Sequence, residues 1–193
     1  MIRKIGIGIS TAAIAVMFSG CTMIKMGTTF MGFSSETQDA YANMMGVIGE
    51  TGDPAQAMML EFPVNADIDE DEMFEEMKDI AEEFNMMKVG EKNMFRIESD
   101  DPNVIVHARI AEFCSLGVAK KMFNHSRYYG GFMPCRVVMV EYGDGRRYLI
   151  TMDMTLALYG GTDKKPIDPD LFEDMINVKK AMEAIPARAA IGE

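Results

Sequence analysis

Between positions 69 and 84 the apolar residues Met73, Phe74, Met77, Ile80, Ala81 and Phe84 recur at spacings of three and four, with Glu75, Glu76, Asp79, Glu82 and Glu83 interleaved. At 3.6 residues per turn this spacing gathers the apolar side chains into one stripe and predicts an amphipathic helix. Asp69-Glu70-Asp71-Glu72 just ahead has the spacing of a capping box, and acids in a first turn suit the positive end of the helix dipole. The acidic run DIDEDE at 67–72 is thereby read as a cap and a solvated face. It is not a calcium loop, because Glu72 stands where the loop needs glycine and Lys78 where it needs a bidentate glutamate.

The same patterning marks the other elements. Ser35-Glu36-Thr37-Gln38 repeats the capping spacing ahead of Tyr41, Met44, Met45 and Ile48, which share a helical face, with Gly49 as the stop. GETGDPAQ is a loop, and AMMLEFPV at 57–64 predicts a first strand ending near Pro63. Strands are expected at 94–98 and 104–113, and in the second Val106, Ala108, Ile110 and Glu112 face one way. Residues 115–124 predict a helix, and 133–142 with 146–154 a hairpin turned through Gly143-Asp144-Gly145. Asp168-Pro169 is a cap followed by proline at the first helical position. Leu171, Met175, Val178, Met182 and Ile185 mark the last helix, with Pro186 as its end. The class is α+β: a mainly antiparallel sheet with two packed helices, in β-α-β-α-β-β-α order, as one compact domain. The chain contains no internal repeat.

Ahead of these elements the pattern changes. Arg3 and Lys4 precede an apolar stretch from Ile5 to Phe18, too short for the roughly 20 residues of a spanning helix. A basic start, a short apolar run and small residues at its end describe a secretory signal. The sequence Phe18-Ser19-Gly20-Cys21 resembles the lipobox of bacterial lipoproteins. That resemblance implies cleavage before Cys21, lipidation of Cys21 and attachment to a membrane, since several acyl chains on one residue hold durably. Thr22, rather than Asp, follows the cysteine; in a Gram-negative cell this implies the outer membrane, with the protein facing the periplasm. The chain then divides into a signal peptide (1–20), a lipidated tether and short helix (21–56), the α+β domain (57–186) and a tail (187–193).

Charge narrows the partners. The full chain carries −11, and removing Arg3 and Lys4 with the signal makes it −13. So acidic a surface excludes nucleic acid as a partner, because phosphate backbones require clustered Lys and Arg. With Cys21 lipidated, Cys114 and Cys135 remain, and an even pair in an oxidising compartment can close into a disulfide.

The stretch from Phe113-Cys114 through Ala119, Met133-Pro134-Cys135-Arg136-Val137, Glu141 and Asp144-Gly145 resembles, in order and spacing, the core of the family catalogued as domain of unknown function 302. Ser115-Leu116 stands where that family carries Asn-Pro. The resemblance implies a compact β-α-β-sheet-α domain, a homodimer as its assembly and no established reaction.

Candidate chemistry centres on Cys114 and Cys135, one ending a strand and the other beginning one. They are read either as a ligand or redox site, with Arg136 and His125 beside them, or as a structural disulfide or two buried thiols. Arg136 can lower a thiol pKa, bind an anion or pair with Glu141. His125 lies in NHSRYYGG, read as an exposed loop, and His107 is the other of the two histidines. Neither stands at ligand spacing from a cysteine. The chain holds 21 methionines, and Met152-Asp153-Met154 offers two thioethers on one strand face. Thioether and imidazole suit copper, and thiol and imidazole suit haem or zinc, but methionine is also an adaptable core filler. No nucleophile, base and acid stand together. The expected role is a binding or accessory module taking a small ligand or an envelope protein, with a thiol-based redox or metal and haem accessory as the alternative.

Overall fold

The structure is a computed structural model, and it describes residues 24–162 and 164–193. The signal peptide, Cys21 and the first residues of the tether lie outside the described residues. The elements run α1 (Ser35–Thr51), β1 (Met59–Pro63), α2 (Glu70–Glu83), β2 (Met87–Arg96), β3 (Ile105–Cys114), α3 (Leu116–His125), β4 (Cys135–Tyr142), β5 (Arg147–Met152), α4 (Thr155–Tyr159) and α5 (Pro169–Ala189). The five strands form one sheet in the order β1-β5-β4-β3-β2, antiparallel at every pairing. The α+β class is as expected. The connectivity is β-α-β-β-α-β-β-α-α, because β2 and β3 are separate strands paired with one another.

The core lies between the sheet and the pair α2 and α5. Met73, Phe74, Met77, Ile80 and Ala81 of α2 meet Val178, Ala181, Met182 and Ile185 of α5 over Ala111, Phe113, Val137, Met139 and Leu149 of the sheet. At the far end of α2, Arg188 grips Glu83 through two contacts of 2.7 and 3.0 Å, and Asn177 Nδ2 donates to the Phe84 carbonyl at 3.0 Å. The opposite face of the sheet carries Ile110, Val138 and Ile150 in register across β3, β4 and β5. These three are half-buried and join neither core cluster.

Local chemistry sets the helix ends. Asp69 caps α2 by accepting from the amides of Asp71 and Glu72, and Asp168 caps α5 by accepting from those of Asp170 and Leu171, both as the sequence predicts. Helix α1 is capped by Ser34 instead of Ser35 and runs past Gly49 to Gly52. Gly52 has φ 72° and returns its amide to the Ile48 carbonyl; the left-handed residue is what stops a helix, and Gly49 does not adopt that conformation. Helix α5 runs through Pro186 to Ala189. One lost hydrogen bond there is offset by burial of Ile185, Ala189 and Ala190.

Two other segments differ from expectation. Strand β2 begins at Met87, seven residues before the expected start, and register shifts fall between Lys88 and Gly90 and between Asn93 and Phe95. Burial alternates only over 87–91, where the inward positions are Lys88 and Gly90 rather than apolar residues, and the rest of this edge strand is exposed, so no hydrophobic period marks it. The tether is helical over 24–31, and Phe33 beyond it stacks on Tyr41 with ring centroids 5.6 Å apart. Tyr41 in turn donates to the Gly160 carbonyl at 3.0 Å, so the N-terminal helices dock on α4. At the end of β5 away from α4, the Arg147 guanidinium donates to the carbonyls of Ile68 at 2.6 Å and Asn65 at 3.3 Å, pinning the loop that leads into α2.

Candidate functional site

The two cysteines meet at one end of the sheet. Cys114 closes β3 and Cys135 opens β4, and the register pairs Cys135 with Phe113. Successive strand side chains alternate faces, so Cys135 shares the core face with Phe113 while Cys114 belongs to the other. Both thiols are free. A bridge needs facing Cβ atoms about 3.8 Å apart, which this register does not supply. Burial is the main force on Cys135, with the neighbouring Cys114 adding to it; together they outweigh the Arg136 charge and push the thiol pKa up to about 11. Burial also raises Cys114. Reactive cysteines are shifted the other way.

Arg136 is exposed and sits opposite Glu112 across β3 and β4. It does not pair with Glu141: five positions apart on one strand, the two point to opposite faces. His125 is the last residue of α3 and half-buried, rather than part of an exposed loop, with its ring 6.0 Å from that of Tyr129. The helix continues to it because Val118 and Met122 anchor its inner face in the second core cluster.

A cavity of about 340 Å³ opens beside the thiols. Cys135, Arg136 and Phe132 line it, as do Ile110, Val138 and Ile150 from the open face. Met59 and Met94 from the two edge strands share its wall with Met152 and Met154. Both edges reach one cavity, so the open face is concave. A neighbouring cavity of about 360 Å³ shares Phe132 and Met152 and adds Tyr128 and Tyr129. His125 lines neither. Of the four candidate residues, Cys135 and Arg136 therefore share this cavity; Cys114 is near and His125 is apart.

The opposite end of the same sheet holds a second group, whose members lie far apart in the sequence. His107 of β3 is 1% exposed, on the helix-facing side. Arg96 Nη2 donates to its Nδ1 at 2.8 Å, and an arginine can only donate; Nε2 therefore carries the proton and donates to Asn93 Oδ1 at 3.1 Å. Glu70 Oε2 lies 3.4 Å and Glu141 Oε2 3.7 Å from the same Nδ1. Glu70 belongs to the run read as a solvated face, yet it turns inward. Arg109 draws it there, donating to Glu70 Oε1 at 2.9 Å, to Asp71 at 2.7 Å and to Glu91 through Nε at 3.0 Å. The Arg109 guanidinium also lies 4.1 Å from the centre of the Phe74 ring. Burial opposes the Arg109 charge, but hydrogen bonds to Glu91, Asp71 and Glu70 outweigh it and raise its pKa. Burial likewise opposes the Glu91 charge, and hydrogen bonds from Lys88 and Arg109 reverse that and lower its pKa.

The signal for this cluster was present but faint. The face of β3 opposite Val106 and Ile110 reads His107, Arg109, Ala111, Phe113, and charged side chains on a face that goes on to bury Phe113 must find partners.

The family described as "Domain of unknown function DUF302" matches residues 61–185. The crystal structure of an uncharacterized conserved DUF302 protein from Bacillus stearothermophilus aligns with 16% identity and a TM-score of 0.47, over 67% of this chain and 95% of that one. No curated protein matches.

Proposed function

Because the chain belongs to the DUF302 family, whose description assigns no activity, we propose that it is an envelope lipoprotein whose domain binds a small apolar ligand in the cavity beside Cys135. Cleavage before Cys21 and lipidation of that residue place the domain at a membrane surface outside the cytosol, in the outer membrane of a Gram-negative cell. The lipobox-like Phe18-Ser19-Gly20-Cys21 supports the anchor. So do Ile24, Met26 and Met31, exposed on the helical segment a few residues beyond it and suited to a lipid surface. Among the described residues no helix is long and apolar enough to cross a membrane.

The observation that carries the binding role is the cavity itself. It is concave, lined by Met59, Met94, Ile110, Val138, Ile150 and Met152, and edged by the single charge of Arg136. Small-molecule sites have this make-up of apolar walls with few polar groups. Val138→Asp places a carboxylate on the half-buried open face rather than in the core, so the fold survives while the cavity turns polar. Titration of the full chain in detergent with a C12 fatty acid, read by calorimetry, is expected to give saturable binding that Val138→Asp abolishes. Labelled palmitate is expected to enter the wild-type protein and not Cys21→Ser. Fatty-acid binding unchanged by Val138→Asp overturns the ligand reading, and absence of label overturns the anchor.

A second reading rests on the sulfur content of the same wall. Met59, Met94 and Met152 line it from the open face and Met154, Met182 and Cys135 from the core side, and thioethers favour Cu(I). Competition for Cu(I) against a colorimetric chelator tests it, with Met152→Leu expected to weaken binding.

A further inference from the structure

We propose that Glu70, His107 and Glu141 form a site for a divalent first-row cation of the Zn²⁺ class, and that the Arg96 guanidinium occupies it when the cation is absent. The ligand atoms of the three residues all lie within 4.8 Å of one another. His107 Nδ1 is 3.4 Å from Glu70 Oε2 and 3.7 Å from Glu141 Oε2. Ligands about 2.0–2.1 Å from a tetrahedral ion stand about 3.3 Å apart, so the two separations from Nδ1 need to close by only a few tenths of an ångström, while the two carboxylates already stand within 4.8 Å of each other.

The electrostatics require a cation at this point. Nδ1 is an acceptor, because Nε2 holds the proton and gives it to Asn93. Two carboxylate oxygens and a nitrogen lone pair therefore converge, and acceptors crowd together only around positive charge. Arg96 supplies it, reaching Nδ1 at 2.8 Å and Glu70 Oε2 at 3.1 Å. It does not reach Glu141, whose carboxylate has no lysine or arginine within salt-bridge distance among the described residues. Arg96, Arg109 and Lys88 face Glu70, Asp71, Glu91 and Glu141, three cations against four carboxylates, so exchanging Arg96 for a divalent ion cancels the remaining negative charge.

The surroundings are those of a ligand set. Asn93 holds the imidazole ring by its far nitrogen, as outer partners of metal-bound histidines do. Arg109 engages Oε1 of Glu70 and leaves Oε2 turned to the cluster. Arg96, in contrast, has a side chain that is 64% exposed, on an edge strand, and swings into solvent without opening the core. His107 is buried, while Glu70 and Glu141 keep 21% and 25% of their side-chain surface, so an ion enters from the same side by which Arg96 leaves.

The test is a titration of the full chain in detergent, stripped with chelator, using Zn²⁺ alone against a chromophoric zinc chelator. One equivalent is expected to bind. Glu141→Gln, at a partly exposed position, should weaken it at least 10-fold, and Asn93→Ala about 10- to 100-fold. Arg96→Gln should tighten it several-fold, because the competing cation is gone. Co²⁺ in place of Zn²⁺ should give a tetrahedral visible spectrum without the near-ultraviolet charge-transfer band of a thiolate, which separates this site from Cys114 and Cys135. The proposal is overturned if no stoichiometric ion binds, if Glu141→Gln leaves binding unchanged, if Arg96→Gln weakens it, or if the thiolate band is present. A purely structural ion network gives no tightening in Arg96→Gln.

Discussion

The two ends of strand β3 solve opposite problems with the same face. At the Cys114 end, Ala111 and Phe113 press on Val137 and the helices, and whatever lies among them is driven toward its neutral form. At the His107 end, about 23 Å away at 3.3 Å per residue, Arg109 and His107 occupy equivalent positions and are held by Glu70, Glu91 and Asn93. No buried side-chain nitrogen or oxygen among the described residues lacks a partner. Burial alone does not decide what a strand position does chemically; the side chains brought across from α2 and β2 decide it.

Substitutions at the two ends should therefore differ in kind. Phe113→Ala empties a fully buried ring site and is expected to cost about 4 kcal/mol in urea unfolding, with little dependence on salt. Arg109→Ala leaves Glu70 and Glu91 facing one another and strips a cation from the Phe74 ring. It should cost about 3 kcal/mol, and added salt should recover part of it by screening the bared carboxylates. Equal salt responses for the two variants would erase the contrast between the ends.

Smaller effects follow pH. The Glu91 pKa is lowered in the folded protein, so its contribution is complete above the unfolded value of about 4.3 and is lost as the pH falls through the folded one. Glu91→Gln is expected to cost about 1 kcal/mol at neutral pH and to flatten the acid limb of a stability profile. At the other end the sign reverses. Cys135 is raised to about 11, so its neutral form favours the fold fully below the unfolded value near 8.5 and ceases to do so as the pH climbs toward 11. Alkylation of the native protein by iodoacetamide, read by mass, should label Cys114 first and Cys135 only at strongly alkaline pH. Rapid labelling of Cys135 at pH 7 would favour the redox alternative.

How much of this was legible depends on how far apart the cooperating residues lie. The stripe of α2, the caps at Asp69 and Asp168 and the turn at 143–145 are local patterns, and the structure keeps them. The meeting of Cys114 and Cys135 at one sheet end followed from strand order alone. The first half of β2 was hidden because its inward positions are Lys88 and Gly90, which carry no hydrophobic signal, on a twice-bulged edge strand. Glu70 reads as one more solvated acid until Arg109, 39 positions away, claims it. His107 and Glu141 are neighbours only through the β3–β4 register, which no short motif records. The methionines around the cavity range from Met59 to Met182, so their shared wall exists only in the folded sheet.

Arg147 shows how narrowly that assembly is held. The two N–H groups of its Nη2 are held at fixed angles in the guanidinium plane and reach peptide oxygens of the segment before α2, whereas a lysine ammonium is a freely rotating point of charge. Arg147→Lys is expected to expose the 65–68 peptide bonds, read as faster cleavage there in limited proteolysis than in the native chain. The first cut would fall just upstream of Glu70, releasing the start of α2 while the strands remained paired.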